Sequence, residues 1–261
     1  MTAHSFDDSE AYEQFMGPWS RRIGEAFLAW LQPPIGAHWL DIGCGTGIFT
    51  ALVANMCAPA KVVGIDPAQS LIGQARRRAE TAKAELWLGD VQDLSFQDAS
   101  FDVLVSSLVL NFVPDRARAL SEICRVARPG GLIGACVWDF ATERSPSGPL
   151  RRAMRRLAIK IPPIPGTEAS TLSALTELFE EGALIDVVTT SIDVEVPFPN
   201  FNDFWNSQTP NGVPITNLIA AMTPQDQDDL KALLRSELQH LPGGAVKYSA
   251  RANAIKARRS G

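Results

Sequence analysis

The chain has 261 residues, of which 46% are apolar and 20% charged, and its formal net charge is −5. That length suits one large α/β domain or one domain with an insertion, and it can bury a sizeable core without disulfides or metals. The acidic balance argues against a protein built around a nucleic-acid backbone, which needs an excess of Lys and Arg on one face.

Cys44, Cys57, Cys124 and Cys136 form no Cys-x-x-Cys pair and have no accompanying His cluster, so no metal site is expected. They read as small buried residues in a reducing compartment. The opening "MTAHSFDDSEAYEQFMG" is acidic and lacks the apolar stretch of a signal peptide, and no run of about 18 apolar residues could span a bilayer. The expectation is a soluble, cytoplasmic protein with neither nucleic acid nor membrane as partner.

In chain order, the first half alternates short apolar runs with helical patterns. Strands are expected at "HWLDIG" (38–43), "KVVGID" (61–66), "ELWLGD" (85–90), "FDVLVSS" (101–107) and "LIGACVW" (132–138). Nearly continuous apolar character marks strands covered on both faces, as in a parallel sheet. Helices are expected at "IFTALVANMC", "AQSLIGQARRRAETA" and "DRARALSEICRVAR"; Asp115 caps the last and "RPGG" at 128–131 stops it. Beyond lie a basic run (Arg144, Arg151, Arg152, Arg155, Arg156 and Lys160), read as a solvated helix face, and the irregular "KIPPIPG". "STLSALTELFEEG" should be a helix capped by Ser170 or Thr171. Strands are expected at 184–196 and 245–256, the second alternating residue by residue and so antiparallel at or near an edge. Between them, "TPQDQDDLKALLRSEL" has Thr223 as N-cap, Pro224 at its first position and Asp226 completing a capping box. The fold class expected is α/β: a doubly wound, mostly parallel seven-stranded sheet with an antiparallel edge strand. As one domain it divides into an N-terminal helical cap (1–35), a cofactor-binding core (36–140), helices and the sixth strand (141–196), a helical lid insertion (197–244), and the last strand and tail (245–261).

The chemistry concentrates in "WLDIGCGTGIF". Three alternate glycines let the backbone turn tightly and bring N–H groups close to a ligand. A dinucleotide fingerprint needs G-x-G-x-x-G, but counting from Gly43 the third position is Ile48; a Walker loop is excluded because no Gly-Lys-Ser/Thr follows. Asp41, two residues before the first glycine, would repel a pyrophosphate and favour a cationic ligand. Asp66 ends the second strand, 19 residues past Gly47, where an acid can accept ribose hydroxyls. Asp90 ends the third, where it could accept an adenine amine, with Val91 and Leu94 as apolar cover. Acids at three successive strand ends outline a nucleoside site.

In order and spacing, "LDIGCGTG", "VVGIDPAQSLI", "GDVQDLSFQDASFDVLVSSLVLNFVPD" and "EICRVARPGGLI" resemble the class I S-adenosylmethionine-dependent methyltransferases, in particular the bacterial group related to the ubiquinone/menaquinone C-methyltransferases. The motifs span residues 36–140, and the segments around "YEQFMGPWSRRIGEAFLAWL" and "FNDFWN" also look like that group. The resemblance implies S-adenosylmethionine as cofactor, held by Asp41, Gly43, Cys44 and Gly45 at its methionine and sugar, by Asp66 at the ribose, and by Pro67, Asp90 and Val91 at the adenine. Gly47 would allow close packing of the following helix. Ser106 and Ser107 would lie near the methionine end, Tyr12 fits the place of a cofactor-reaching tyrosine before the first helix, and Trp19 would close the same side.

The acceptor is expected to be a small hydrophobic or aromatic molecule lined by Asn111, Trp138, Phe204 and Trp205. No catalytic base is assigned; Asn111, where many relatives carry His, and Asp139 are the candidates for a catalytic role. No Asn/Asp-Pro-Pro-Tyr/Phe tetrapeptide follows the fourth strand, which speaks against methylation of an exocyclic or amide nitrogen in nucleic acid or protein. Two alternatives stay open: a regulatory protein that keeps the cofactor pocket without transfer, and a nicotinamide-dependent oxidoreductase. The oligomeric state is not legible.

Overall fold

The computed structural model describes residues 9–182, 184–210 and 214–261, with side chains described from Met16 onward except Pro214. The apolar runs form β1 (His38–Ile42), β2 (Lys61–Asp66), β3 (Glu85–Leu88), β4 (Phe101–Ser107) and β5 (Ala127–Trp138), all parallel. Two longer strands follow, β6 (Ile185–Phe198) and β8 (Val246–Arg258), and β8 runs antiparallel to both β5 and β6. The sheet order is β3-β2-β1-β4-β5-β8-β6. This is the doubly wound, mostly parallel sheet expected from the sequence, with two refinements. An eighth strand, β7 (Gln239–His240), makes a short pairing with β8, and the antiparallel strand lies one place in from the edge rather than on it.

Helices cover both faces because neither face of such a sheet can stay wet. α4 (Arg116–Val126) and α6 (Leu172–Glu181) bury Leu120, Ile123, Leu175 and Phe179 against Leu40, Leu104 and Ile133. On the other face α1 (Ser9–Leu31) and α2 (Ile48–Met56) bury Phe27, Leu31, Phe49 and Val53 against Trp39, Val103 and Cys136. α3 (Gln69–Arg77) seats Ile72 and Ala75 against Cys44 and Leu86. The last turn of α1 has no basic residue of its own; Lys256 of β8 donates to Trp30 O at 2.8 Å and lies over the Trp30 ring. A cation from the last strand thus answers the negative end of the first helix.

A second apolar cluster forms around the junction of β6, β8 and the end of β5. There α5 (Gly148–Arg156), α7 (Phe201–Gln208), α8 (Pro214–Ala220) and α9 (Pro224–Ser236) surround Trp19, Trp138, Phe204, Leu230 and Tyr248. Full burial of a side chain such as Phe204 contributes about 2–3 kcal/mol. The expected caps are present: Asp115 accepts from Arg118 N at 2.9 Å, Thr171 from Ala174 N at 3.1 Å and Thr223 from Asp226 N at 3.2 Å.

Three expectations are corrected. The helix does end just ahead of "RPGG", at Val126, but β5 starts at Ala127 rather than at 132, with a register shift between Phe101 and Val103 on its partner. There Arg128 pairs with Asp102, which also accepts from His38 N at 2.8 Å. Tyr12 lies inside α1 rather than before it, and its side chain is outside the described residues. The basic run is not merely solvated. Arg152 donates to Glu237 at 2.7 and 2.9 Å, Arg155 pairs with Glu143, Arg156 reaches Glu237 and Arg144 reaches Asp193, so the run ties α5 to the chain leaving α9.

The "KIPPIPG" connection sits directly on the turn after β4. Gly166 has φ +69°, and a Cβ there would lie 1.7 Å from Asn111 O. Gly36 has φ +73° with nothing within 4 Å of a Cβ. Gly36→Ala should therefore cost only the left-handed backbone, about 1 kcal/mol, whereas Gly166→Ala adds a backbone clash and should cost about 3 kcal/mol or more in urea unfolding. Equal losses in the two variants would show that the connection does not rest on Asn111.

Candidate functional site

The site begins where β1 ends. Gly43, Gly45 and Gly47 have φ of +74°, +53° and +82°, a left-handed series that residues with a Cβ adopt only at a cost. Two of them also lack room. A Cβ on Gly43 would meet Val109 at 2.6 Å, and one on Gly47 would meet Thr81 at 2.9 Å and Ala75 at 3.2 Å. Gly47 therefore makes way for α3 and the turn after it. Gly45 has nothing within 4 Å of its missing Cβ, so the loop is open at its tip.

Asp41 is buried on β1. Its Oδ2 accepts from Thr50 Oγ1 at 2.6 Å, while its Oδ1 has no hydrogen-bond partner. Burial, aided by the nearby Asp66 charge and opposed by the Thr50 hydroxyl, pushes its carboxyl up to about 7. A buried carboxylate oxygen left without a donor is costly and invites a ligand group that donates or carries positive charge.

Asp66, at the end of β2, is also buried, with Oδ2 accepting from Gly45 N at 3.0 Å and Oδ1 from Ala68 N at 2.8 Å. Burial raises its carboxyl, and those two backbone donors oppose the rise. Each oxygen keeps a second lone pair, so acceptor capacity remains. The carboxylate thus fixes the glycine loop and the start of α3 at once. Pro67 and Asp90 are exposed, Val91 is buried, and Asp90 accepts from Gln92 N at 2.8 Å. Burial also drives the Cys44 thiol well above its ordinary value and the Cys136 thiol up to about 12, so neither is poised as a nucleophile.

β1 and β4 pair with Asp41 opposite Val105, which brings the end of β4 beside the glycine loop. Ser106 is buried with an unpartnered Oγ; Ser107 Oγ lies 3.6 Å from Cys136 Sγ. Leu108 then takes a positive φ of +67°, backbone strain at the strand end, before a 3₁₀ turn over Leu110–Phe112. Asn111, in that turn, is 1% exposed and neither atom of its amide has a partner. At the end of β5, Trp138 is buried edge-on to Trp19, with ring centroids 6.3 Å apart, and neither indole N–H has a partner.

The remaining candidates are placed elsewhere. Asp139 is committed to its own turn, accepting from Thr142 N at 3.1 Å and Thr142 Oγ1 at 2.5 Å. Phe204 is fully buried edge-on to Phe198 in the second cluster. Trp205 lines an outer cleft of about 520 Å³ between α7 and α9, with Lys231 over its ring. Sequence reasoning missed Thr50, whose hydroxyl holds Asp41. Its one signal was a polar residue within the apolar run "IFTALV".

Residues 40–135 match the family model described as a methyltransferase domain. Over 141 residues the chain is 32% identical to a trans-aconitate 2-methyltransferase of Variovorax paradoxus, covering 54% of this chain and 52% of that protein. Over 132 residues it is 36% identical to a demethylmenaquinone methyltransferase of Symbiobacterium thermophilum, covering 48% and 52%. The chain thus spans about half the length of these curated relatives. Among solved structures, a Haemonchus contortus phosphoethanolamine N-methyltransferase 2 aligns with a TM-score of 0.61 at 18% identity, over 99% of this chain and 59% of that one, a likeness of fold alone. Residues 40–135 are thus similar to a methyltransferase domain, and the fold is that of a methyltransferase solved with S-adenosylmethionine. The chain's relatives include the menaquinone C-methyltransferases named by the resemblance.

Because the folded state holds Asp41 protonated up to about pH 7, the stability it contributes is full below about pH 4 and is lost as pH rises through 7. Urea unfolding of the ligand-free protein should show this decline between pH 4 and 7. Asp41→Asn, which cannot ionise, should flatten it; an unchanged slope would place the titration on another group.

Proposed function

We propose that the chain is an S-adenosylmethionine-dependent methyltransferase that moves a methyl group to a small, hydrophobic or aromatic molecule by in-line displacement. The observation that carries this reading is the unpartnered, buried Oδ1 of Asp41 beside an open glycine loop. A dinucleotide pyrophosphate would be repelled there, whereas the methionine part of the cofactor brings an ammonium and a sulfonium. Asp66 has acceptor capacity left for ribose hydroxyls, and Val91 and Asp90 stand where apolar cover and an acceptor for an adenine amine are needed. The residues present therefore fit the group.

The cofactor supplies an already activated methyl, so the chain's task is alignment and exclusion of water. Asp41, held by Thr50, orients the amino-acid end through its free oxygen. Asp66 keeps the Gly45 backbone in place and fixes the sugar. Ser106 and Asn111, both buried with unpartnered polar atoms, stand on the β4 side, where the methionine end and the acceptor meet. Trp19 and Trp138 supply apolar walls with two unpartnered indole donors. Residues of α1, α7 and α9 pack around this end. Asn111 cannot take a proton from the acceptor; it positions. The trans-aconitate and demethylmenaquinone enzymes among the relatives are consistent with a small acceptor.

Calorimetric titration tests the reading. S-adenosylhomocysteine should bind and NAD should not, and Asp41→Asn and Asp66→Ala should each weaken binding about tenfold or more, roughly 1.4 kcal/mol. No heat with S-adenosylhomocysteine, or full affinity in both variants, would sink the proposal.

A further inference from the structure

Asp90 stands on an exposed turn after β3, where a carboxylate with no neighbours would sample several rotamers. Here it does not stand alone. Gln92 donates its backbone N–H to Asp90 Oδ1 at 2.8 Å and its side-chain amide to Oδ1 and Oδ2 at 3.1 Å each. The amide is itself held from behind: Gln92 Oε1 accepts from Asp115 N at 3.0 Å, and Gln92 O accepts from Arg118 Nε at 2.7 Å. Both partners lie at the start of α4, where Asp115 is the N-cap. Further along, Arg125 of α4 donates to Leu94 O and Phe96 O at 2.8 Å each, and Glu122 accepts from Leu94 N at 2.8 Å. The whole segment from 90 to 98 is thus riveted to one helix, and its first residue is a carboxylate gripped through both oxygens.

We propose that Gln92 is a positioning residue that sets nucleobase selectivity by aiming Asp90 at the exocyclic amine of the cofactor, an inference that rests on the methyltransferase reading. A carboxylate accepts from an amine and repels a carbonyl oxygen at the same ring position. Such a site rejects the wrong group well only if the acceptor cannot swing aside. Gln92 prevents the swing: two of its bonds fill Asp90 Oδ1, while Oδ2, which takes only the third, keeps a lone pair for the ligand. Because Gln92 also binds the Asp115 backbone, the adenine side of the site is fastened to the segment that follows Asn111.

The test compares S-adenosylhomocysteine with S-inosylhomocysteine, in which a carbonyl replaces the amine, by calorimetry on the native chain and its variants. The native chain should prefer the amine form at least tenfold. Gln92→Leu should cut that preference about fivefold or more while the thermal midpoint stays within a few degrees. The near-isosteric Gln92→Glu, which sets a like charge against Asp90, should also cut it and recover part of it as pH falls. In an Asp90→Asn background, Gln92→Leu should change the preference no further, because its route through Asp90 is gone. Equal weakening of both ligands by Gln92→Leu, no effect of it, or additivity with Asp90→Asn would each overturn the inference while the methyltransferase reading stands. Failure of the native chain to bind S-adenosylhomocysteine would overturn both.

Discussion

The carboxylate of Asp66 is the joint on which the site depends. One oxygen takes the N–H of Gly45 and the other takes the N–H of Ala68, so the glycine loop and the start of α3 share a single anchor. The loop needs such an anchor because three left-handed glycines forgo side-chain packing and lose much conformational entropy on ordering. With the loop fixed, Gly47 can admit Ala75 and Thr81 at close range, and Asp41 can remain buried with one oxygen free. An acid that we propose holds a ligand is thus first an acid that holds the fold. The two uses are compatible because a carboxylate has more lone pairs than the backbone consumes.

Among the described residues, several buried polar atoms without partners gather near the carboxyl ends of the central strands, while the Trp39 indole and Gln208 Oε1 are unpartnered elsewhere. Asp41 and Ser106 lie near the carboxyl ends of β1 and β4, Asn111 in the turn beyond β4, and the Trp19 and Trp138 indoles at the end of β5. Other buried polar groups are satisfied: Asn253 donates to Ser170 O and accepts from Ser191, and the Thr81 hydroxyl is shared between the Ala75 and Arg78 carbonyls. A region that breaks this habit pays in stability for something it does in exchange. The apolar cluster built by α1, α7 and α9 around the strand ends gives that region its walls, and the Arg152–Glu237 pair fastens α5 to the end of the insertion.

Much of the fold was legible because its signals are local. Continuous apolar runs marked β1, β2 and β4 to within a residue, and Asp115, Thr171 and Thr223 announced three helices by side-chain chemistry that needs only the next turn. "RPGG" hid the early start of β5 because residues that end a helix can also open a strand at a register shift. The basic run misled because one of its acidic partners, Glu237, lies 81 to 85 residues further on, inside the insertion, where no local pattern points to it. In the site, Asp41, Asp66 and Asp90 could be singled out by their positions after strands. That both Asp66 oxygens are already engaged, that Asp90 is gripped by Gln92, and that Gly166 presses on Asn111 are long-range or loop-internal facts, which no periodicity encodes.

The place of β8 has a consequence for how the chain reaches its native state. β6 touches β5 only through β8, and the Lys256 that closes the C-terminal end of α1 is carried by the same strand. Until residues 246–258 have been made, a nascent chain therefore has two open strand edges, an unsealed first helix and an unfinished second core. The N-terminal strands can pair early, but the closing step joins elements more than 200 residues apart, the kind of contact that makes folding slow and intermediates adhesive. Late in synthesis, this protein should lean on whatever shields exposed strands in the cell.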